Sequence, residues 1–297
     1  MPLITLANDS LHLVVSTHGG SILQLHSKIT GQSIPILRDS VLSENTPPLA
    51  SGCFPLAPFG NRVRDNVFSF AGDRYTLTPN VPWDPHYLHG DAWLNEWEVV
   101  EQSAHALLLR YTHSKSANPY AYVTEQRFEL RATQLIVTLS VRNLGEKTLP
   151  FGLGWHPYFV MDRSTTLEAD AAGYWTEGEH WLPDQFGKTP PELDFSKPRV
   201  LPRHWVNNGF SGWTGQARIT WPSRRLAVTL QAPCAYYFVF VSETNFDPSY
   251  QHDFFCFEPM SHAADAHNTA DGAGLVVLTP QATTAISLSL RVEKEPG

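Results

Sequence analysis

Leu135-Ile136-Val137-Thr138-Leu139-Ser140-Val141 places Leu135, Val137, Leu139 and Val141 at every second position, and Ile286-Ser287-Leu288-Ser289-Leu290-Arg291-Val292 repeats the pattern near the other end of the chain. Successive strand side chains point to opposite faces, so each stretch reads as a strand with one apolar face for a core. Further strands are expected at residues 67–75, 97–100, 106–111 and 124–130, and at Leu226–Gln231 and Tyr236–Val241. Turn signals separate them, among them Ala71-Gly72-Asp73-Arg74, Asn143-Leu144-Gly145-Glu146 and Trp221-Pro222-Ser223. No 12-residue window carries the i, i+3, i+4, i+7 stripe of an amphipathic helix. So many short strands exceed one small barrel, and the expectation is an all-β, large antiparallel sandwich. The Pro-rich, weakly periodic stretch 183–202 reads as a long surface loop, and residues 1–297 as a single domain.

Composition agrees. Of 297 residues, 17% are charged, below the usual ~25%, and 12% are aromatic, with nine Trp. Twenty-three prolines leave few uninterrupted stretches for a helix. A net charge of −8 argues against a nucleic-acid partner, which needs clustered cations. No apolar run approaches the roughly 18 residues that span a bilayer; the longest, Cys234 to Val241, is strand-sized, so no membrane association is expected. Met1-Pro2-Leu3-Ile4-Thr5 lacks the basic start and apolar stretch of a leader peptide, which gives a cytoplasmic expectation. Cys53, Cys234 and Cys256 are odd in number and widely spaced, with neither a disulfide framework nor a zinc-binding C-x-x-C.

Pattern and polarity conflict at four places. Phe54-Pro55-Leu56-Ala57-Pro58-Phe59-Gly60-Asn61-Arg62 ends an apolar, proline-stiffened loop on a guanidinium able to donate several fixed hydrogen bonds; the plainer reading is a surface Arg. In His86-Tyr87-Leu88-His89-Gly90, two His three apart would suit a metal on a helix, but Pro82, Pro85 and Gly90 deny a helix. His89 as a lone ligand-binding imidazole fits better. His156 lies in Phe151-Gly152-Leu153-Gly154-Trp155-His156-Pro157-Tyr158-Phe159, a setting dry enough to move its pKa, although a core histidine would look the same. Glu258 ends the run Phe254-Phe255-Cys256-Phe257-Glu258-Pro259-Met260, where a carboxylate is costly without partners. The following Ser261-His262-Ala263-Ala264-Asp265-Ala266-His267-Asn268 holds metal-ligating residue types at no known ligand spacing and reads as a solvated loop, so no metal site is expected.

The constellation offers an acid, a base, polar anchors and many aromatic faces. It lacks G-x-S-x-G, a Walker-type loop, G-x-G-x-x-G and H-E-x-x-H. Proton transfer on a small neutral polar molecule remains, and aromatic faces that pack on C–H groups make a monosaccharide a reasonable ligand.

At these segments, together with Gly19-Gly20-Ser21-Ile22, the chain resembles the aldose 1-epimerases, the galactose mutarotase-like family, over almost its whole length. The resemblance implies a β-supersandwich of some 20 strands, no cofactor, and interconversion of the α and β anomers of a free hexose by a monomer or homodimer. It makes Glu258 the catalytic base, as carboxylate, and His156 the catalytic acid, as imidazolium. His89 and Arg62, preceded by Asn61, would hold the sugar and its ring oxygen. Many members place an Asp three residues before the Phe of D-x-x-F-x-G-W. Here Asn207-Asn208-Gly209-Phe210-Ser211-Gly212-Trp213 has Asn207, an uncharged donor and acceptor for a sugar hydroxyl. Two alternatives stay open: a hexose-6-phosphate 1-epimerase, for which Arg64 and Arg74 would supply phosphate-binding cations, and a non-catalytic sugar-binding module.

Overall fold

The two alternating stretches are hydrogen-bonded neighbours. In the computed structural model, which describes residues 3–114 and 118–295, strand Gln134–Asn143 pairs antiparallel with strand Thr283–Lys294, placing Leu135 opposite Leu290 and Val137 opposite Leu288. These four side chains are buried, while Thr138 and Ser287 on the outer face share a 2.8 Å hydrogen bond. Cross-strand pairs of this kind are what stabilise a sheet beyond its backbone ladder. Met1 and Pro2, part of the stretch read for a leader, lie outside the described residues.

These strands belong to a nine-stranded sheet that also contains Ala106–His113, Tyr122–Arg131 and Leu226–Gln231. An eleven-stranded sheet carries, in spatial order, Ile22–Ser27, Cys53–Leu56, Gly154–Val160, Phe254–Met260, Tyr236–Val241 and Val206–Ser211. All pairings are antiparallel, and one continuous hydrophobic cluster draws on both sheets, from Leu13 and Phe255 to Val137 and Leu290. The all-β antiparallel architecture expected from the alternation is therefore the one observed. Among the described residues helix is confined to seven three-residue 3-10 turns, and no helix is long and apolar enough to cross a membrane.

The central strands of the larger sheet do not alternate. Every residue of Gly154–Val160 and of Phe254–Met260 is buried, because one face packs into the core through Trp155, Phe159, Phe255 and Phe257 while the other lines a cavity. A strand covered on both faces loses its period-two signature and becomes a continuous apolar run.

Two expectations need correction. Residues 67–75 form two strands, Val67–Phe70 and Asp73–Thr76, joined at Ala71 and Gly72, both at positive φ. The stretch 183–202 is not one loop. Pro183–Gly187 is the outermost strand of the eleven-stranded sheet, Pro191–Leu193 a 3-10 turn and Arg199–Val200 an edge strand of the other sheet. Proline is tolerated on an edge, where its missing N–H faces no partner.

Candidate active site

Backbone register brings the acid and base together. Gly154 lies opposite Met260 and Tyr158 opposite Cys256, which sets His156 across from Glu258 on the cavity face. His156 Nε2 lies 3.2 Å from Glu258 Oε1. The imidazole is held between the rings of Phe54 and Tyr158, each with its centroid at 4.7 Å, so its plane is fixed by stacking.

Both groups are buried. Burial pushes the imidazole down to about 3, opposed by its own backbone carbonyl and reinforced by the Arg38 and Arg62 charges. Burial also holds the Glu258 carboxyl well above its ordinary 4.5, with Arg62 pulling the other way. Burial thus disfavours the charged form of each group, working against the carboxylate and imidazolium that the resemblance implies and toward a carboxylic acid beside a neutral imidazole, because isolated ions are costly in a dry site. The proton count is the same in both descriptions. Moving one proton across the 3.2 Å contact converts one into the other.

Arg62 belongs to a small two-stranded sheet in which it lies opposite Leu88, and His89 directly follows the second strand. Asn61, at φ +59°, donates its backbone N–H to His89 Nδ1 at 3.0 Å, and its carbonyl accepts the His89 N–H at 2.9 Å. Burial and the neighbouring His156 and Arg62 charges hold His89 well below 6.5, so the ring is neutral. With Nδ1 accepting, Nε2 must carry the hydrogen, and His89 presents a neutral donor. Next to it Gly90 sits at φ +70°, and a Cβ there would meet the Ala57 carbonyl oxygen at 2.2 Å, so only glycine lets these segments approach so closely. Arg62 is clamped by the buried Asp84, with 2.8 Å contacts from both Nε and Nη2 to one carboxylate oxygen.

Asn207 lies opposite Phe240, with its Nδ2 buried and without a hydrogen-bond partner. All six residues singled out in the sequence, Asn61, Arg62, His89, His156, Asn207 and Glu258, line one cavity of about 340 Å³. Trp83 and Phe246 form its exposed aromatic rim.

Sequence reading missed three supports. Arg38 enters the wall between Tyr158 and Phe254, its guanidinium carbon 3.9 and 4.5 Å from their ring centroids. Asp84 clamps Arg62. The third is the segment read as a solvated loop: His262 is buried, its Nε2 accepting the Gly60 N–H at 3.0 Å while Nδ1 donates to the Ala263 carbonyl at 2.7 Å. Asp265 accepts the Arg64 backbone N–H at 2.9 Å. The segment is a brace under residues 60–64 that satisfies the backbone donors of Gly60 and Arg64. Arg64 and Arg74 line a different groove, Arg64 paired there with Asp265, so neither expected phosphate-binding cation reaches the cavity of His156 and Glu258.

Comparison with known proteins places these observations in a family. The model of the aldose 1-epimerase family matches residues 2–291. The uncharacterized Escherichia coli (strain K12) protein YphB is 48% identical over 298 positions, covering 99% of either chain. A crystal structure of a candidate aldose 1-epimerase from Escherichia coli K12 superposes with a TM-score of 0.94 at 47% identity, covering 99% of both chains. A galactose mutarotase-like protein from Clostridium acetobutylicum, at 18% identity, covers 98% of this chain and 95% of its own with a TM-score of 0.83, a likeness of fold.

Proposed function

The chain belongs to the aldose 1-epimerase family, and from that premise we propose that it interconverts the α and β anomers of a free hexose, with Glu258 and His156 as the base and acid. The observation that carries this reading is their 3.2 Å approach inside a cavity also lined by Arg62 and His89. O1 and O5 of a pyranose are bonded to the same carbon, so two groups this close can reach both.

Substrate oxygens replace lost hydration around the pair and favour its carboxylate–imidazolium tautomer. Glu258 then takes the proton from the anomeric hydroxyl as His156 delivers one to O5. The C1–O5 bond breaks and C1 becomes an aldehyde. Rotation about C1–C2 turns its other face to O5. His156 recovers its proton as O5 attacks, Glu258 returns its proton to O1, and the opposite anomer is formed. Arg62 and the Nε2–H of His89 stabilise charge developing on oxygen. Only protons move, so the steps call for no cofactor.

Polarimetry on freshly dissolved α-D-glucose and α-D-galactose tests this. The expected result is a mutarotation rate that rises in proportion to protein concentration. Quenching of tryptophan fluorescence by the sugars without any acceleration would instead identify a non-catalytic binding module.

A further inference from the structure

The cavity holds more unsatisfied donors than the acid–base chemistry uses. Arg38 Nη2 donates to the carbonyls of Leu49 and Ser51 at 2.6 and 2.7 Å, but Nε–H is buried with no acceptor. No carboxylate forms an ion pair with Arg38 among the described residues, and backbone carbonyls satisfy only part of its hydrogen-bonding geometry. Asn207 Nδ2 and Ser242 Oγ are likewise buried and unpartnered.

Their placement follows the register. Cys256 lies opposite both Tyr158 and Phe240, and Phe240 opposite Asn207, one residue pair along from the His156–Glu258 row. Ser242, just past the end of strand Tyr236–Val241, and Phe254, the ring that Arg38 covers, line the same cavity. Rows two residues apart are about 7 Å apart. Beyond the acid and base, the cavity lining therefore presents an amide, a hydroxyl and a guanidinium without an ion pair among the described residues. Tyr158 links the ends: His156 stacks on it at 4.7 Å and Arg38 at 3.9 Å.

The pyranose carbon bonded to O5 carries the exocyclic C6. A ring whose O5 meets His156 can direct that substituent along the same wall. We propose, resting on the epimerase reading above, that the preferred substrate is a hexuronate and that Arg38, in a lining that also holds Ser242, receives the C6 carboxylate. Asn207 supports this choice, since its neutral donor lines the wall where a carboxylate would add to the repulsion from Asp247. Asp247 also lines the cavity, its carboxylate already accepting the Ser249 N–H and Oγ–H. Its charge opposes any anion, and a doubly charged phosphate more strongly than a singly charged carboxylate.

The test is anomer exchange measured by magnetisation-transfer NMR on D-glucuronate and D-galacturonate, against D-glucose, D-galactose and D-glucose 6-phosphate. We expect kcat/KM about tenfold higher for the uronates than for the matching neutral sugars, the size of one charge-assisted hydrogen bond. In Arg38→Gln that preference is lost, mainly through KM for the uronate. Arg38 also supports the carbonyls of Leu49 and Ser51, so Asn207→Asp is the second variant, and it should abolish the preference by repulsion. Uronates turned over no better than neutral sugars, a preference that survives in both variants, or a preference for the phosphate would each overturn the proposal and leave the epimerase reading standing. Acceleration of no sugar would overturn both.

Discussion

Asp84 receives both Nε and Nη2 of Arg62 on a single carboxylate oxygen, each at 2.8 Å, while its other oxygen accepts the His86 backbone N–H at 2.8 Å. The Asp84 side chain is fully buried. Arg62 is thus aimed at the cavity by a residue that lies outside it. Removing one partner of a buried ion pair costs about 3–5 kcal/mol and leaves the other charge free to swing. Asp84→Ala should lower kcat/KM roughly 100-fold, because small misplacements of a positioned group are amplified in rate. It should also lower the urea midpoint of unfolding. A rate within twofold of the unaltered chain would show that Arg62 needs no clamp.

His156 and Glu258 handle one proton between them, so they should fail as a unit. Glu258→Gln and His156→Asn are each expected to reduce kcat by about 10²–10⁴-fold. The double variant should be little worse than either single, since residues sharing one step are not additive. Circular dichroism should be unchanged, and Glu258→Gln should not be less stable, because an amide replaces a buried carboxyl without the cost of a charge. Single losses that multiply in the double variant would mean that the two residues act in separate steps.

The burial of this pair also sets the pH profile. With His156 pushed down to about 3 and Glu258 held well above 4.5, neither gains nor loses a proton between about pH 4 and pH 4.5. The pair keeps zero net charge there and can always reach its carboxylate–imidazolium tautomer. We expect kcat/KM not to fall as the pH is lowered from about 4.5 to about 4. Groups at ordinary values would instead give a bell with limbs near 4.5 and 6.5. Stopped-flow polarimetry across that range distinguishes the two shapes.

How much of this was legible follows from where each residue's partners lie. Leu135 and Leu290 announce themselves because their strands cover the core with one face only, which leaves period two in the sequence. The strands of His156 and Glu258 are covered on both faces, and there the signal is the opposite one, a polar residue inside an apolar run. Arg38, Asp84 and His262 carry no such mark. Asp84 meets Arg62 across 22 positions and His262 meets Gly60 across 202, distances over which neither periodicity nor local turn chemistry reports contact. An Asp in a proline-rich loop and a His after a strand look the same whether they face solvent or brace a site. The pull of burial on the pair's two protons was hidden for a related reason, since only the assembled sheet creates that burial.

His262 connects that brace to acid stability. Its ring is buried, and burial holds its pKa at about 4 against an ordinary 6.5, opposed by its bond to the Ala263 carbonyl. Between those values the unfolded chain binds a proton that the folded chain refuses. The stability contributed by the neutral ring is therefore fully present above pH 6.5 and is lost as pH falls toward 4. From pH 7.5 to pH 5 this one group should remove about 2 kcal/mol, at 1.36 kcal/mol per pH unit. His262→Gln keeps an acceptor for the Gly60 N–H but has no proton to take up. Its urea-derived stability should start lower at pH 7.5, because the ring's packing is lost, and should fall less steeply, by about one proton. Equal slopes in the two chains would mean that His262 is protonated in the folded state, and the hydrogen bond that accepts from Gly60 could not then be made as described.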